Sequence, residues 1–410
     1  MKILIFMSGG FDTYGPSRHL YDALIEDLLL DDHEIHLIES HSTGNDPDVP
    51  EKFSNNSNFS FVTVKAKVVK KTAFVRRYLN GVSYCYKCKK QLRKCKGKFD
   101  VVLVQSCPWA PFAVSFAKRI VKAPVVWNIQ DMFPGSSIAN GAMKNRFVQK
   151  CFYKFQKIAY KKADYITVIS DDMKDKVIEQ KVDANKITII SDWFDDKTVE
   201  PIDWEQNKFV SKYQMSQKIF YVQYAGTMGY NFDYKMVVNV AERLSKYNNI
   251  IFQMIGFGSR EEEFKKLVKD KDLKNIIFYP LEPQNMVSHV YSACSVCLIP
   301  LPYGVIGNSV PSKIGLLMAC KKPVITTADK ESKYNKMVND NRIGYAFGCE
   351  EPELVAQAIL RLSNNQKTLI ELGMNGFSFG KVIFSRHYNT NKYIKLFNDI
   401  YNKKERASDD

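Results

Sequence analysis

Short runs of aliphatic and β-branched residues alternate with longer stretches of helical periodicity along nearly the whole chain. That pattern leaves few folds open. A strand followed by a crossover helix and another strand builds a parallel sheet with helices on both faces. In the first half, strands are expected at Lys2–Met7, Glu34–Ile38, Phe59–Val64, Val101–Gln105, Pro124–Ile129, Tyr165–Ile169 and Lys186–Ile190, with helices between them such as Ser17–Leu30 and Asp171–Glu179. The stretch Asp192–Ser216, with Pro201, two tryptophans and mixed charge, reads as a connection. A second series follows at Ile219–Tyr224, Asn249–Ile255, Ile276–Tyr279, Val296–Ile299, Pro323–Thr326 and Gly344–Phe347. Its helices are expected at Tyr234–Tyr247, Glu261–Lys269, Met286–Ala293, Ser312–Ala319, Glu353–Ser363 and Gln366–Gly373. The fold class is therefore α/β, with two Rossmann-like domains facing across a cleft: residues 1–205, and residues 206–377, with a C-terminal helix over 378–401 returning to the first. Such sheets bind ligands beyond the carboxyl ends of their strands, so the site is expected in that cleft. Only the tail after about Asn402 reads as disordered.

The 45% hydrophobic content supplies a sizeable core and excludes a disordered or fibrous chain. No apolar run approaches the roughly 18–20 residues of a spanning helix, and Met1–Met7 is too short for an export signal. Nine cysteines, an odd number, then read as free thiols in a cytoplasmic protein.

Charge is concentrated. The net charge is +15, yet Lys52–Ala163 holds 24 Lys and Arg against two acids, Asp100 and Asp131. A one-sided field of this kind attracts a polyanion: nucleic acid, anionic lipid or a phosphorylated substrate. No nucleic-acid motif accompanies it. Over Phe74–Cys95, the residues Val75, Tyr78, Val82, Cys85, Cys88, Leu92 and Cys95 form an apolar stripe, with Arg76, Arg77, Lys87, Lys90 and Lys94 off it. A basic amphipathic helix is a membrane-surface signature, and this segment is read as one; the blander alternative is a core-facing helix with a solvated basic side. A second stripe, Phe147, Cys151, Phe155 and Ile158, lies amid seven Lys and Arg of Met143–Lys162. Cys85, Cys88 and Cys95 have the opening spacing of a zinc site but no nearby histidine or fourth cysteine, so no metal is expected.

Several glycine turns follow strands. Ser8-Gly9-Gly10 follows the first, with Gly15-Pro16-Ser17 opening the next helix; Tyr224–Gly229 and Ile255–Ser259 occupy such places in the second half. Glycine allows backbone to approach a ligand, and a helix N-terminus favours phosphate, although the first turn is as readily a plain loop. Neither second-half turn completes a dinucleotide fingerprint, and no Walker sequence occurs. Val310–Ile325 carries Pro311, Ser312 and Lys313 at the start of a helix. There, backbone N–H groups and an ammonium can hold a diphosphate together; an exposed lysine beside an N-cap serine fits the spacing equally well.

The Val310–Ile325 segment resembles the donor-binding motif of the family 4 glycosyltransferases, of GT-B fold, and above all the subset from bacterial capsule, O-antigen and exopolysaccharide clusters. Val126–Pro134, Ala163–Ser170, Lys186–Trp193, Tyr224–Gly229 and Ile255–Gly258 are similar to that family's further segments, in the same order. The resemblance implies transfer of an N-acetylhexosamine or other hexose from a UDP-sugar, with retention of configuration and without a metal or other cofactor, to a polyprenyl-diphosphate-linked saccharide. It places the enzyme peripherally on the inner face of the cell membrane, against anionic lipid.

Carried over by residue, Gly226 and Thr227 would line the pyrophosphate or sugar. Gly256, Phe257 and Gly258 would border base and ribose, and Ser312 with Lys313 would hold the diphosphate. Gly9, Gly10, Asn308, Ser309, Pro311 and Leu316 complete the expected donor surroundings, and Asp131 with Lys313 the expected catalytic pair. Asp131 could orient the acceptor hydroxyl, act as base, or simply cap its turn. One departure stands out: where many members carry two glutamates eight residues apart, this chain has Asn308 and Leu316. The Arg and Lys that many members place after the glycine turn are also absent, with Thr227 and Phe232 in their places, so Lys313, with Arg260 or Lys235, must supply the charge. A sugar-nucleotide 2-epimerase of the same architecture and a non-catalytic anionic-lipid-binding protein are the alternatives.

Overall fold

The computed structural model describes residues 1–11, 17–41, 49–67, 69, 74–139, 141, 143–195 and 198–409. Gly15 and Pro16 lie outside the described residues. The chain forms two compact units. One comprises Met1–Gly135, Met143–Ser191 and Asn389–Asp410; the other comprises Ser136–Ala142 and Asp192–Tyr388.

The first unit is built on β1 (Lys2–Phe6), β2 (Glu34–His41), β3 (Phe59–Lys65), β4 (Val101–Val104), β5 (Val125–Ile129), β6 (Tyr165–Val168) and β7 (Ile187–Ile189). These pair in parallel in the order β3-β2-β1-β4-β5-β6-β7. The second unit contains β8 (Phe220–Ala225), β9 (Ile250–Ile255), β10 (Ile276–Tyr279), β11 (Val296–Pro300), β12 (Val324–Ala328) and β13 (Gly344–Gly348), in the order β10-β9-β8-β11-β12-β13. Each expected strand is present within a few residues of its sequence-derived limits. Both sheets reverse their winding beside their first strand, between β1 and β4 and between β8 and β11. In a doubly wound sheet that reversal opens a crevice at the carboxyl ends.

Burial explains the composition of the strands. β4 (Val-Val-Leu-Val) and β8 (Phe-Tyr-Val-Gln-Tyr-Ala) are buried along their whole length, which is why they read as continuous rather than alternating apolar runs. Successive β8 side chains serve opposite layers: Phe220, Val222 and Tyr224 join Phe252, Phe264 and Ile359, whereas Tyr221 and Ala225 join Phe209, Ile299 and Leu317.

The domain boundary falls at Ser191/Asp192 rather than after residue 205. Residues 198–205 pack with the second unit because their backbone donors find acceptors there: Glu200 N–H donates to Ser288 Oγ at 3.2 Å and Ile202 N–H to Ser292 Oγ at 2.9 Å. The expected 378–401 helix is instead two helices, Gln366–Ile383 and Arg386–Asp409. The second joins the first unit from Asn389 onward and stays helical past Asn402, where the sequence reads as disordered. Tyr393 anchors it: Asn128 of β5 donates to Tyr393 Oη at 2.8 Å and accepts from Tyr21 Oη at 2.7 Å, all fully out of solvent.

The Phe74–Lys94 helix corrects one expectation. Cys85, Cys88, Leu92 and Cys95, read as lipid-facing, are buried in its own domain against the Ala110–Val121 helix and the sheet. A Cβ at Gly81 would lie 2.1 Å from the Trp109 ring, so the indole that precedes the second helix lies directly on the backbone of the first. Burial pushes the Cys88 thiol up to about 12. Arg76, Lys87, Lys90 and Lys94 are exposed, Arg77 is half-buried, and the Lys87 ammonium donates to Lys65 O at 3.0 Å. The Arg146–Lys162 helix does the reverse: Phe147, Phe155 and Ile158 are 76%, 41% and 44% exposed, while Gln156, Ala159 and Tyr160 face the core.

Candidate functional site

In the second unit the glycine turns after β8 and β9 are interlocked. Gly226 has φ +141° and Gly256 φ +125°, values a side chain rarely adopts. A Cβ on Gly256 would lie 2.1 Å from Gly226 O, and one on Gly258 2.3 Å from Met228 O. Gly226 N–H donates to Ile255 O at 2.9 Å and Met228 N–H to Phe257 O at 2.9 Å, which locks the two turns together. Thr227 and Phe257 are exposed beside them, and the Tyr224 hydroxyl donates to Thr227 O at 2.7 Å.

Lys313 completes this group. It is the first residue of the Lys313–Ala319 helix, reached by the loop that leaves β11. Its stem is partly accessible, but the ammonium itself is out of solvent, 3.5 Å above the Tyr224 ring. A Cβ on Gly226 would come within 3.0 Å of Nζ, so glycine is what admits the cation there. Among the described residues Nζ has no hydrogen-bond partner. Burial lowers its pKa from 10.5 to about 8, against a smaller opposing influence of Cys297. The Cys297 thiol is itself raised by burial, first of all. An ammonium held dry, over a π face and beside backbone with no side chain in the way, lacks only an anion.

The remaining donor residues divide. Ser312 is exposed, and its side chain makes no capping bond to the helix it precedes, so the N-cap reading of its hydroxyl does not hold. Asn308 is spent on its own loop, donating to Gly304 O at 2.9 Å, and Ser309 N–H donates to Val305 O at 3.0 Å. Pro311 O accepts from Ile314 N–H at 3.2 Å. Leu316 is half-buried and packs against the apolar core, a place that suits leucine better than an acid. Arg260 is engaged by Glu263 at 2.6 Å and lies over Tyr230, while Lys235 is exposed, so Lys313 is the buried cation of this group. A separate 420 Å³ depression lined by Phe220, Asn249 and Pro323 opens at the amino ends of the strands, away from these turns.

In the first unit, Ser8-Gly9-Gly10 follows β1, Gln105-Ser106 follows β4 and Asp131 follows β5, all at carboxyl ends. Ser8 N–H donates to Gln105 Oε1 at 3.0 Å, and Ser106 Oγ to Asp131 O at 3.3 Å. Around Gly9 a Cβ would meet nothing within 4 Å. Asp131 is exposed, and its carbonyl turns the chain by accepting from Phe133 N–H at 3.1 Å.

The sequence does not disclose the clamp behind this turn. Glu39 Oε1 accepts from Phe11 N–H at 3.1 Å, and Arg18 joins Asp22 at 2.7 Å and Glu39, with its guanidinium 3.6 Å over the Phe11 ring. Arg18 and Glu39 are fully buried, and burial raises the Glu39 and Asp22 carboxyls against the pull of Arg18. Arg18, the one Lys or Arg of a helix that also carries Asp22, Glu26 and Asp27, is the available signal.

Two doubly wound domains in tandem, the second with a buried cation that has no hydrogen-bond partner among the described residues and lies over glycine turns at its switch point, define a two-domain α/β protein. The chain belongs to the family 4 glycosyltransferases: residues 15–197 match the Glycosyltransferase Family 4 model, and residues 205–379 match the Glycosyl transferases group 1 model. "Probable glycosyltransferase WbjE" of Pseudomonas aeruginosa is 25% identical over 264 residues, which are 64% of this chain and 64% of that protein. WcaI of Escherichia coli K12, named for colanic acid biosynthesis, is 22% identical over 58% of each chain. The chain thus aligns with less than two thirds of the length of these relatives. Among solved structures, Anabaena Alr3699/HepE in complex with UDP-glucose is similar at a TM-score of 0.70 and 13% identity, over 97% of this chain and 100% of that one. That likeness concerns the fold.

Proposed function

We propose that the protein transfers a hexose or N-acetylhexosamine from a UDP-sugar to a polyprenyl-diphosphate-linked saccharide during synthesis of a bacterial surface polysaccharide, with retention at the anomeric carbon. The observation that carries the reading is the Lys313 ammonium, buried, without a hydrogen-bond partner among the described residues, and lodged against Gly226. The names of WcaI and of the HepE–UDP-glucose complex support the polysaccharide and the donor, respectively.

A diphosphate seated over the glycine turns would supply the anion that Lys313 lacks. As the bond from the anomeric carbon to the β-phosphate oxygen breaks, negative charge grows on UDP, and a preorganised cation in a dry site stabilises it most. The acceptor hydroxyl forms the new bond on the same face and passes its proton to the departing phosphate oxygen. Asp131 would orient that hydroxyl. Lys313 supplies the charge that a metal supplies in other phosphate chemistry, so no metal is required.

The test is UDP release with lipid-linked acceptor across the common UDP-sugars, together with UDP-dependent thermal stabilisation. Turnover with one donor and a thermal shift lost in Lys313→Met are expected. No turnover with any donor and no shift with UDP would refute the reading.

A further inference from the structure

The 420 Å³ depression at the amino ends of the second sheet has a charged rim and an aromatic wall. Lys218 stands just before β8 and Lys322 just before β12, strands that flank β11. The spacing of neighbouring strands sets these two stretches of backbone about 10 Å apart, with Lys321 beside the second. All three lysines line the depression, and no Asp or Glu does so among the described residues. None of the three ammonium groups has a carboxylate partner among the described residues, whereas Lys212, Lys265, Lys271 and Lys330 of the same unit each hold one. The half-buried Trp204 supplies the wall. Its ring is stacked on Tyr221, with centroids 6.2 Å apart and planes at 23°, so protein covers one face and fixes the tilt of the other. The amide side chains of Gln217, Asn249 and Gln366 join the lining, and Gln217 is turned by its donation to Glu205 Oε1 at 2.9 Å.

We infer that this depression binds an acidic oligosaccharide, with the C–H face of one ring on the Trp204 indole, hydroxyls on the amides and carboxylates on the lysines. An amide side chain both donates and accepts, as neighbouring sugar hydroxyls do, and each lysine–carboxylate contact is a charge-assisted hydrogen bond. Phe220 and Leu369 give the depression an apolar floor for ring C–H groups. The backbone argues against a nucleotide here. No glycine lines the depression, and the N–H groups at the strand starts are spent: Phe220 N–H donates to Asn249 O at 2.7 Å and Lys322 N–H to Leu317 O at 3.0 Å. A phosphate cradle needs such donors free. The separation of the cations also suits carboxylates on successive sugar rings better than the clustered charge of a polyphosphate. The site lies at the opposite end of the strands from Gly226, and binding there does not depend on the donor reading. Its use rests on that reading: an enzyme whose product is a polysaccharide would keep an acidic chain at hand between transfers.

The test is titration calorimetry of the full chain at physiological salt with tetragalacturonate, maltotetraose, tetraglutamate and tripolyphosphate. Tetragalacturonate should bind at one site, about tenfold or more tighter than each of the other three. The double variant Lys218→Gln, Lys322→Gln should weaken it by about tenfold or more, and Trp204→Leu by about fivefold. Asn249→Ala, at an exposed position, should weaken it by about threefold. Unchanged unfolding midpoints in the lysine and asparagine variants show that the fold is intact. UDP should leave the affinity for tetragalacturonate as it is. Absence of binding, equal binding of any of the three other probes, or competition by UDP would each overturn the inference. So would full affinity in the double lysine variant, which would assign the anion to the basic first unit instead.

Discussion

Replacing Lys313 by methionine should make the free protein more stable and its donor binding worse. Folding holds the ammonium at about 8 instead of 10.5. At about 1.4 kcal/mol for each tenfold change, that depression costs about 3 kcal/mol at neutral pH. The Tyr224 face, 3.5 Å away, offsets on the order of 1–2 kcal/mol. Methionine fills the same space without a charge, so Lys313→Met should gain about 1–2 kcal/mol at pH 7. The pH dependence follows in sign. The folded pKa lies below the unfolded one, so between about pH 8 and 10.5 the unfolded chain binds more protons and the wild type gains stability as pH rises. The advantage of the variant is therefore complete below pH 8 and gone by pH 10.5. Denaturant midpoints across that range read the stability. Titration calorimetry with UDP should show a loss of about thirtyfold or more, the range for removing one partner of a buried charge pair. A variant that is less stable at pH 7 and binds UDP as well as wild type would refute the reasoning, because the ammonium would then have a native partner and no role toward an anion.

Gly226→Ala puts a methyl 3.0 Å from Lys313 Nζ at φ +141°, so UDP affinity should fall about tenfold or more by calorimetry, with strain of about 1–3 kcal/mol in the denaturant midpoint. Gly256→Ala collides with the Gly226 carbonyl at 2.1 Å and should unfold the second domain at markedly lower temperature by calorimetric scanning. Asp131→Asn should keep UDP binding while slowing sugar transfer about a hundredfold; an unchanged rate would confine Asp131 to its turn. Glu39→Gln leaves the buried Arg18 guanidinium under-compensated and should destabilise the protein by about 3 kcal/mol in denaturant titrations.

Strand positions were legible because fully buried parallel strands such as β4 and β8 have nowhere to place a polar residue, so their apolar runs stand out against the helices. Lys313 was legible as a position through its neighbours Pro311 and Ser312, but not its state, since only the fold brings the Tyr224 ring and Gly226 to its ammonium. The stripe of the Phe74–Lys94 helix misled for a physical reason. Periodicity shows that a helix has an apolar side, not whether protein or lipid covers it, and the Trp109 ring lies on Gly81 across 27 intervening residues that periodicity does not connect. The Arg18–Glu39 clamp stayed hidden because its partners lie on different elements and resemble ordinary surface charge.

The path of the last helix also governs how this protein can be made. The Tyr393 hydroxyl that pairs with Asn128, and Phe397 packed beside its ring, lie in sequence after the whole of the second unit. The first unit therefore leaves the ribosome before the residues that complete its core have been made. A fragment cut after Ser191 would lack those residues permanently, whereas the second unit, continuous from Asp192 to Tyr388 with only Ser136–Ala142 drawn from elsewhere in the sequence, is the better candidate for separate production.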